Sequence, residues 1–340
     1  MKSLLANPAI QSALGNADLM FVAVALFKIV TILLTVLGVV SYLIWVERKV
    51  CSRMQGRYGP NRVGIFGLLQ PIADVIKLLF KEEFIPGTAS KVIFNIAPGL
   101  AIVPALIAMS IVPFGPGFQV ADVNVGLLVF LGMSSITVYA VTLGGWASNN
   151  KYALIGGLRS SAQMISYELA MGISTIGVLL LAGSLSMVDI VTAQQKMWFV
   201  FVQPIGFVLF MLTALAETNR TPFDLPEAEA ELVAGFHTEY SSMRFGLFFL
   251  GEYTSIITIC SIAVTLFLGG WNGPVNLGPL NIVWFMIKLF VLLFVFIWTR
   301  WTLPRFRYDQ LMNLGWKVLL PVSLANVMLT GVMIYLRSPR

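Results

Sequence analysis

The sequence predicts an all-α, polytopic membrane protein with eight transmembrane helices and an amphipathic interfacial helix in the first cytoplasmic loop. Of the 340 residues, 58% are hydrophobic and only 11% are charged, whereas a soluble domain needs about a quarter of its residues charged to cover its surface. Eight apolar stretches are long enough to span, or nearly span, the hydrocarbon core. They lie at 20–46, 93–112, 125–143, 163–182, 198–216, 245–268, 282–298 and 318–336. We expect a single integral membrane domain over 1–340.

The distribution of lysine and arginine predicts how this bundle is oriented. The loops after the first, third, fifth and seventh spans hold sixteen of these residues, and the opposite side, with both tails, holds four. Because positive residues stay on the cytoplasmic side of short loops, both termini are expected to face the periplasm of a bacterial cytoplasmic (inner) membrane. The formal charge of +6 therefore indicates membrane topology, and no nucleic-acid partner is expected.

The sequence offers few residues that ligate metals. Cys51 and Cys260 are the only cysteines, and His237 is the only histidine. This supply excludes a four-cysteine iron–sulfur cluster and a Cys/His zinc site, so no metal site is predicted. Any redox cofactor must be bound without such ligands or belong to a partner subunit.

The first cytoplasmic loop, at 47–91, is long enough to carry structure or function. Apolar residues recur at helical spacing over 68–80, and a polar stripe that includes Asp74 and Lys77 runs beside them. This pattern predicts a short helix lying in the membrane interface. It is either a passive anchor or the lip of an entrance for a lipid-like molecule. Upstream, Arg57 and Arg62 flank a Gly-Pro-Asn turn, where arginine binds lipid phosphates, carboxylates or a partner subunit.

The loop between the fifth and sixth spans, at 217–244, is acidic. Asp224 has the pattern of a helix N-cap, with Glu227 three residues on. One interpretation is a solvated helix start, since acidic residues are favoured there. The other is a group of carboxylates that a partner buries and that exchange protons near neutral pH. The acidic residues are Glu217, Asp224, Glu227, Glu229, Glu231 and Glu239.

Two carboxylates lie inside predicted spans. Glu168 and Glu252 are each six or seven residues from the cytoplasmic end, or roughly 10 Å deep at the rise of an α-helix. Ionisable groups at such depth are costly and are usually functional. They are either protonated and hydrogen-bonded to a neighbour or part of a buried proton relay. Lys28 and Lys288 are weaker candidates, because lysine can extend to the interface.

Four sequence runs together resemble the quinone-site membrane subunit of respiratory complex I, the subunit called H in bacterial NADH:quinone oxidoreductase and subunit 1 in mitochondria. They cover most of the chain, and the first two are the most specific. The runs are RYGPNRVG at 57–64, ETNRTPFDLPEAEAEL at 217–232 with EYS at 239–241, GGWASNNKY at 144–152, and LPRFRYDQ at 303–310.

The resemblance implies a subunit of a proton-translocating enzyme that forms much of the chamber for a long-tailed quinone, either ubiquinone or menaquinone. It implies that FMN and the iron–sulfur clusters belong to partner subunits, which agrees with the lack of a Gly-rich dinucleotide motif here. The implied partners are the peripheral-arm quinone-reducing and iron–sulfur subunits, small membrane subunits, antiporter-like pumping subunits and membrane lipid.

The resemblance also implies residue roles. It assigns a proton relay to seven carboxylates, Glu168, Glu217, Asp224, Glu227, Glu229, Glu231 and Glu252. It assigns the quinone chamber and its entrance to Arg57, Arg62, Asp74, Lys77 and Phe223.

Two other functions remain open from the sequence. One is the homologous membrane component of an energy-converting hydrogenase, which uses no quinone, although the full acidic run favours the quinone enzyme. The other is a stand-alone ion or solute transporter with Glu168 and Glu252 as its ion site. Transporters often contain two related halves, and no convincing internal repeat is found.

Overall fold

The computed structural model describes residues 8–225, 233–275 and 278–337, which form helices joined mostly by short segments. Short 3₁₀ turns lie at Ile65–Gly67, Gly235–His237 and Gly278–Asn281, and a π-helical turn at Leu314–Leu319. The α-helices are α1 (Pro8–Met54), α2 (Gln70–Phe80), α3 (Lys91–Ser110), α4 (Gly126–Ala147), α5 (Lys151–Ala182), α6 (Met187–Ala193), α7 (Phe199–Val202), α8 (Pro204–Glu217), α9 (Ser242–Phe267), α10 (Ile282–Thr302), α11 (Tyr308–Asn313) and α12 (Leu320–Arg337).

The predicted all-α membrane fold is confirmed. Within the described ranges, seven helical segments are long and apolar enough to cross a membrane. Each contains most of one predicted span, but several are longer, because helices continue past the hydrocarbon into the interface. They are Val22–Met54, Lys91–Ser110, Gly126–Ala147, Lys151–Ala182, Ser242–Phe267, Ile282–Thr302 and Tyr308–Leu336.

The remaining predicted span, at 198–216, is discontinuous. It consists of the four-residue α7 and the 14-residue α8, separated at Gln203. Pro204 lacks an N–H and its ring excludes a preceding helical turn, so it begins α8 and does not continue α7. The Gln203 side chain stabilises the break, since it donates to Thr330 Oγ1 at 2.5 Å and accepts from Asn326 at 3.3 Å.

The predicted interfacial helix is present as α2. It begins at Gln70 because the preceding residues turn through the 3₁₀ segment. None of its residues is buried within the chain. Asp74 attaches it to α1, accepting hydrogen bonds from Arg48 (2.8 Å) and Gln70 (2.9 Å).

Helix α9 forms the centre of the bundle. Every residue from 256 to 267 is buried, and α9 packs against α1, α3, α8 and α10. Glu252 and Tyr253 lie on α9 next to this buried stretch, so packing fixes the position of both side chains.

Close contact of α4 with α5 depends on glycine. A Cβ at Gly145 would lie 2.5 Å from the Ala153 carbonyl oxygen, so we expect Gly145→Ala to destabilise the protein by about 1–3 kcal/mol. Gly172→Ala is the matched control, because a Cβ there meets nothing within 4 Å. Alanine is favoured over glycine inside a helix, so the control should be neutral or slightly stabilising. Thermal unfolding of the purified assembly measures both, and equal midpoints would contradict this packing.

Candidate functional site

A crevice of about 1350 Å³ opens between α1, α2 and α9; we call it the lateral crevice. Its walls are largely apolar, with Val40 and Ile44 from α1 and Leu250 from α9. Asp74 and Lys77, both predicted for the entrance, line its polar side. The crevice therefore combines an apolar wall with a charged edge, as binding an amphiphilic molecule requires.

The cytoplasmic end of α2 is fixed to the start of α9. Ser242 Oγ donates to the Leu78 carbonyl at 2.9 Å, and the Phe84 N–H donates to Ser241 Oγ at 3.3 Å. Arg244 pairs with Glu83 at 3.2 Å. These contacts hold the inner end of the crevice at a defined width.

A second space, the inner cavity, adjoins the crevice and encloses about 620 Å³. Phe245 and Phe249 line both spaces, so these two aromatic rings form the boundary between them. The inner cavity is mostly apolar but contains Glu217, Glu252 and His237. It brings two of the predicted relay carboxylates to one space.

A smaller deep pocket of about 330 Å³ continues from the inner cavity between α3, α4 and α9. Thr137, Glu217 and Ser255 line both. Glu217 thus lies where the two spaces meet. Hydroxyl groups flank this carboxylate on the path deeper into the bundle.

Glu217 is buried, with 6% of its surface exposed. Within the part of the chain that the structure describes, neither of its carboxylate oxygens has a hydrogen-bond partner. Glu168 is close enough to act on it electrostatically, and Ser135 on α4 donates a hydrogen bond to Glu168. Because two nearby carboxylates repel each other when both are ionised, the protonation of one influences the other.

The loop after α8 is held in place by a buried amide. Gln163 Nε2 on α5 donates to the carbonyl oxygens of Ala216 and Phe223, each at 2.8 Å. The loop between these residues contains Arg220. This amide therefore fixes the backbone that positions the Arg220 guanidinium.

Arg220 is the centre of a buried group of charges, the arginine–carboxylate cluster, with Glu47, Glu252, Tyr253 and Arg300. Arg220 Nε lies 2.6 Å from Glu252 Oε1, and its Nη1 lies 3.3 Å from Glu47 Oε1. Tyr253 donates to Glu47 at 2.7 Å, and Arg300 pairs with the same carboxylate. The guanidinium also lies 4.3 Å above the Tyr253 ring. Burial alone disfavours the Arg220 charge, but its acidic neighbours outweigh this effect and raise the pKa of Arg220.

Two other predicted residues lie in the loop after α8, away from the cavities. Asp224 is buried and pairs with Arg305 at 2.9 Å. Phe223 packs in the core against Tyr167 and Phe306. Both side chains therefore anchor the loop to neighbouring elements.

The remaining predicted residues lie at the surface or outside the described ranges. Arg57 and Arg62 are exposed at the turn before α2. Glu227, Glu229 and Glu231, with the helix predicted to start at Asp224, lie outside the described residues from 226 to 232.

Glu47, Tyr253 and Arg300 were not predicted from the sequence. Glu47 directly follows the first predicted span, where it stands among basic residues. That isolated acid was the only signal, and it does not reveal its partners, since Arg220, Tyr253 and Arg300 lie 173 to 253 positions away.

Comparison with known proteins identifies the family. The family model described as NADH dehydrogenase matches residues 27–331. The chain belongs to the NADH dehydrogenase family. The resemblance inferred from the sequence runs is therefore confirmed, and this member is a membrane-embedded part of an enzyme assembly.

Individual relatives agree over nearly their whole length. Three of them are named as the H subunit of NADH-quinone oxidoreductase. The chain is 55% identical over 325 residues to the first such protein of Geobacter metallireducens, covering 93% of this chain and 98% of that one. It is 56% identical to the second such protein of Geobacter sulfurreducens, covering 89% and 94%. It is 55% identical to that of Bacillus cereus strain B4264, covering 89% and 92%.

Proposed function

We propose that this chain is the subunit of a bacterial proton-translocating NADH:quinone oxidoreductase that forms the quinone chamber and the first part of its carboxylate relay. The observation that carries the proposal is the continuity of three spaces: the lateral crevice, the inner cavity and the deep pocket. They share Phe245 and Phe249 at the first junction and Glu217 at the second. An apolar path thus ends beside ionisable groups.

This arrangement suits a quinone with a long apolar tail. The tail enters through the lateral crevice, where apolar contacts of about 25 cal/mol per Å² of buried surface favour it over water. Asp74 and Lys77 lie at the mouth, and the exposed Arg57 and Arg62 hold the mouth near lipid phosphates or a partner subunit. Phe223 has its ring in the core, so its contribution to the chamber is to support the loop that borders it.

The coupling is electrostatic. Reducing quinone to quinol takes up two protons and creates transient negative charge near the acidic loop at 217–244. That charge changes the protonation of the loop carboxylates and of Glu217 next to them. Glu252 and Glu168 respond, because unit charges a few ångströms apart interact by about 4 kcal/mol at an effective dielectric of 20. The energy passes along the bundle as a change of charge. The loop carboxylates in this relay are Asp224, Glu227, Glu229 and Glu231.

The proposal includes partners and orientation. The electron-carrying subunits, with FMN and iron–sulfur clusters, contact the cytoplasmic loops, and small membrane subunits and antiporter-like pumping subunits lie alongside in the bacterial inner membrane. Both termini face the periplasm. The acidic loop, which lies on the cytoplasmic side in this orientation, then faces the quinone-reducing subunits.

Narrowing the lateral crevice tests the quinone path. In the assembled complex, Leu250→Trp is expected to raise the KM for a long-tailed quinone on the order of tenfold, equivalent to about 1.4 kcal/mol of binding. A short-tailed analogue should be affected less, because it needs less of the crevice. The measurement is steady-state NADH-driven reduction of both quinones.

Leu128→Trp on α4 is the matched control, since Leu128 is 60% exposed on the outside of the bundle. It should leave both KM values unchanged. If Leu250→Trp assembles normally and reduces both quinones with wild-type KM, the crevice is not the path.

A further inference from the structure

Lys288 lies far from the candidate site, yet it is the centre of a built polar site at the other end of α9. It is 8% exposed on α10. Its ammonium donates to three backbone carbonyls, those of Leu268 at 2.6 Å, Gly270 at 3.0 Å and Asn272 at 2.5 Å. Three N–H donors therefore meet three acceptors.

The three carbonyls converge because two glycines shape the backbone. Gly269 and Gly270 have φ of +73° and +53°, a left-handed region that other residues rarely adopt. A Cβ at Gly269 would lie 2.7 Å from the Trp198 ring, and one at Gly270 would lie 2.6 Å from Val191. Both positions therefore require glycine for conformation and for space.

The site has further walls that hold it in place. The Trp198 ring covers the ammonium, with its centroid 4.2 Å from Lys288 Nζ, so a cation–π contact adds to the hydrogen bonds. Asn272 Nδ2 donates to the Val191 carbonyl at 2.8 Å, and Gln194 Nε2 donates to the Thr265 carbonyl at 2.8 Å. These bonds fasten the turn after α9 to α6. The end of α9 also carries the partial negative charge of its unpaired carbonyls.

We propose that the turn at 268–272, together with Trp198, is a binding site for a primary ammonium ion, which the chain fills with its own Lys288 side chain. The lysine acts as a tethered ligand: it neutralises the end of α9 inside the bundle and excludes other cations from the carbonyls. Shortening the side chain leaves the site open to a soluble primary alkylammonium ion.

The test uses the purified assembled complex carrying Lys288→Ala. Thermal inactivation midpoints are measured with n-propylammonium chloride, tetramethylammonium chloride and sodium chloride at equal ionic strength. We expect the variant to inactivate several degrees below wild type, and n-propylammonium to restore much of this difference. Tetramethylammonium has the same charge but no N–H donor, so it should restore little.

Lys28→Ala is the matched control, since the Lys28 ammonium is only partly buried and donates to the Gln119 carbonyl at a longer 3.3 Å. It should show no selective response to n-propylammonium. A Lys288→Ala complex that n-propylammonium does not stabilise beyond tetramethylammonium overturns the proposal. So does an equal response in both variants, which would indicate a general salt effect.

A second series applies if Lys288→Ala does not assemble. Lys288→Gln keeps an amide donor at similar length, whereas Lys288→Met keeps the length without a donor. The yield of assembled complex should fall from wild type to Gln and further to Met. Equal yields for Gln and Met would show that the carbonyls do not need a donor, and the proposal would be wrong.

Discussion

Replacing Arg220 with methionine is expected to prevent stable assembly or to lower stability by about 3–5 kcal/mol, the usual cost of leaving buried charges without their partner. Arg220 is 4% exposed and pairs with Glu252 and Glu47. Arg300 and Tyr253 still contact Glu47 in the variant, so the larger loss falls on Glu252. The measurement is the yield and the thermal midpoint of the purified complex.

Arg48→Met is the matched control. Its ion pair with Asp74 has a similar length of 2.8 Å, but the two side chains are 48% and 35% exposed, and such pairs contribute only about 0–1 kcal/mol. Adding Glu252→Gln to Arg220→Met should recover part of the loss, because it removes the stranded carboxylate. If Arg220→Met is no worse than Arg48→Met, the buried cluster does not stabilise the protein.

The sequence was sufficient to predict most of the fold, because a transmembrane helix must satisfy its own backbone and present apolar side chains along its length. Hydropathy therefore located the helices, and the periodicity of 68–80 located α2. It did not show that 198–216 is broken. Pro204 was visible, but the break depends on Gln203 finding Thr330 and Asn326 on α12, more than 120 positions away.

The candidate site was predictable only in part. Glu168 and Glu252 were conspicuous because charge in an apolar span is costly, and Glu252 indeed lines the inner cavity with Glu217. The pairings were not predictable. Arg220 was assigned to an acidic loop by position, whereas its partners come from α1 and α9, and only three-dimensional packing brings these helices together.

The same limit explains Lys288. From the sequence, a lysine near a membrane surface has an ordinary role, extending its ammonium toward water. Three carbonyls from another part of the chain and the Trp198 ring surround it. The Gly-Gly pair at 269–270 was the local signal, since consecutive glycines mark backbone that turns in ways other residues do not.

Replacing Glu217 with glutamine is expected to lower the kcat of NADH-driven quinone reduction on the order of 10²-fold, the usual size of a lost proton-transfer group. Glutamine has nearly the same shape but cannot carry a proton or a charge, so assembly and quinone KM should stay close to wild type. NADH oxidation by a water-soluble artificial acceptor, which takes electrons before the quinone site, should be unchanged. Reduced kcat at constant KM distinguishes a relay role from the raised KM expected of a narrowed crevice.

Asp189→Asn is the matched control, because this carboxylate lies on α6, accepts a hydrogen bond from Ser184 at 2.8 Å and lines none of the three spaces. It should reduce quinone at the wild-type rate. Proton translocation in reconstituted vesicles provides the second measurement: Glu217→Gln should lose pumping in proportion to turnover or more. An assembled Glu217→Gln complex with wild-type turnover and pumping would remove Glu217 from the relay. The junction between the inner cavity and the deep pocket would then be a route for water or for the quinone, without a role in proton transfer.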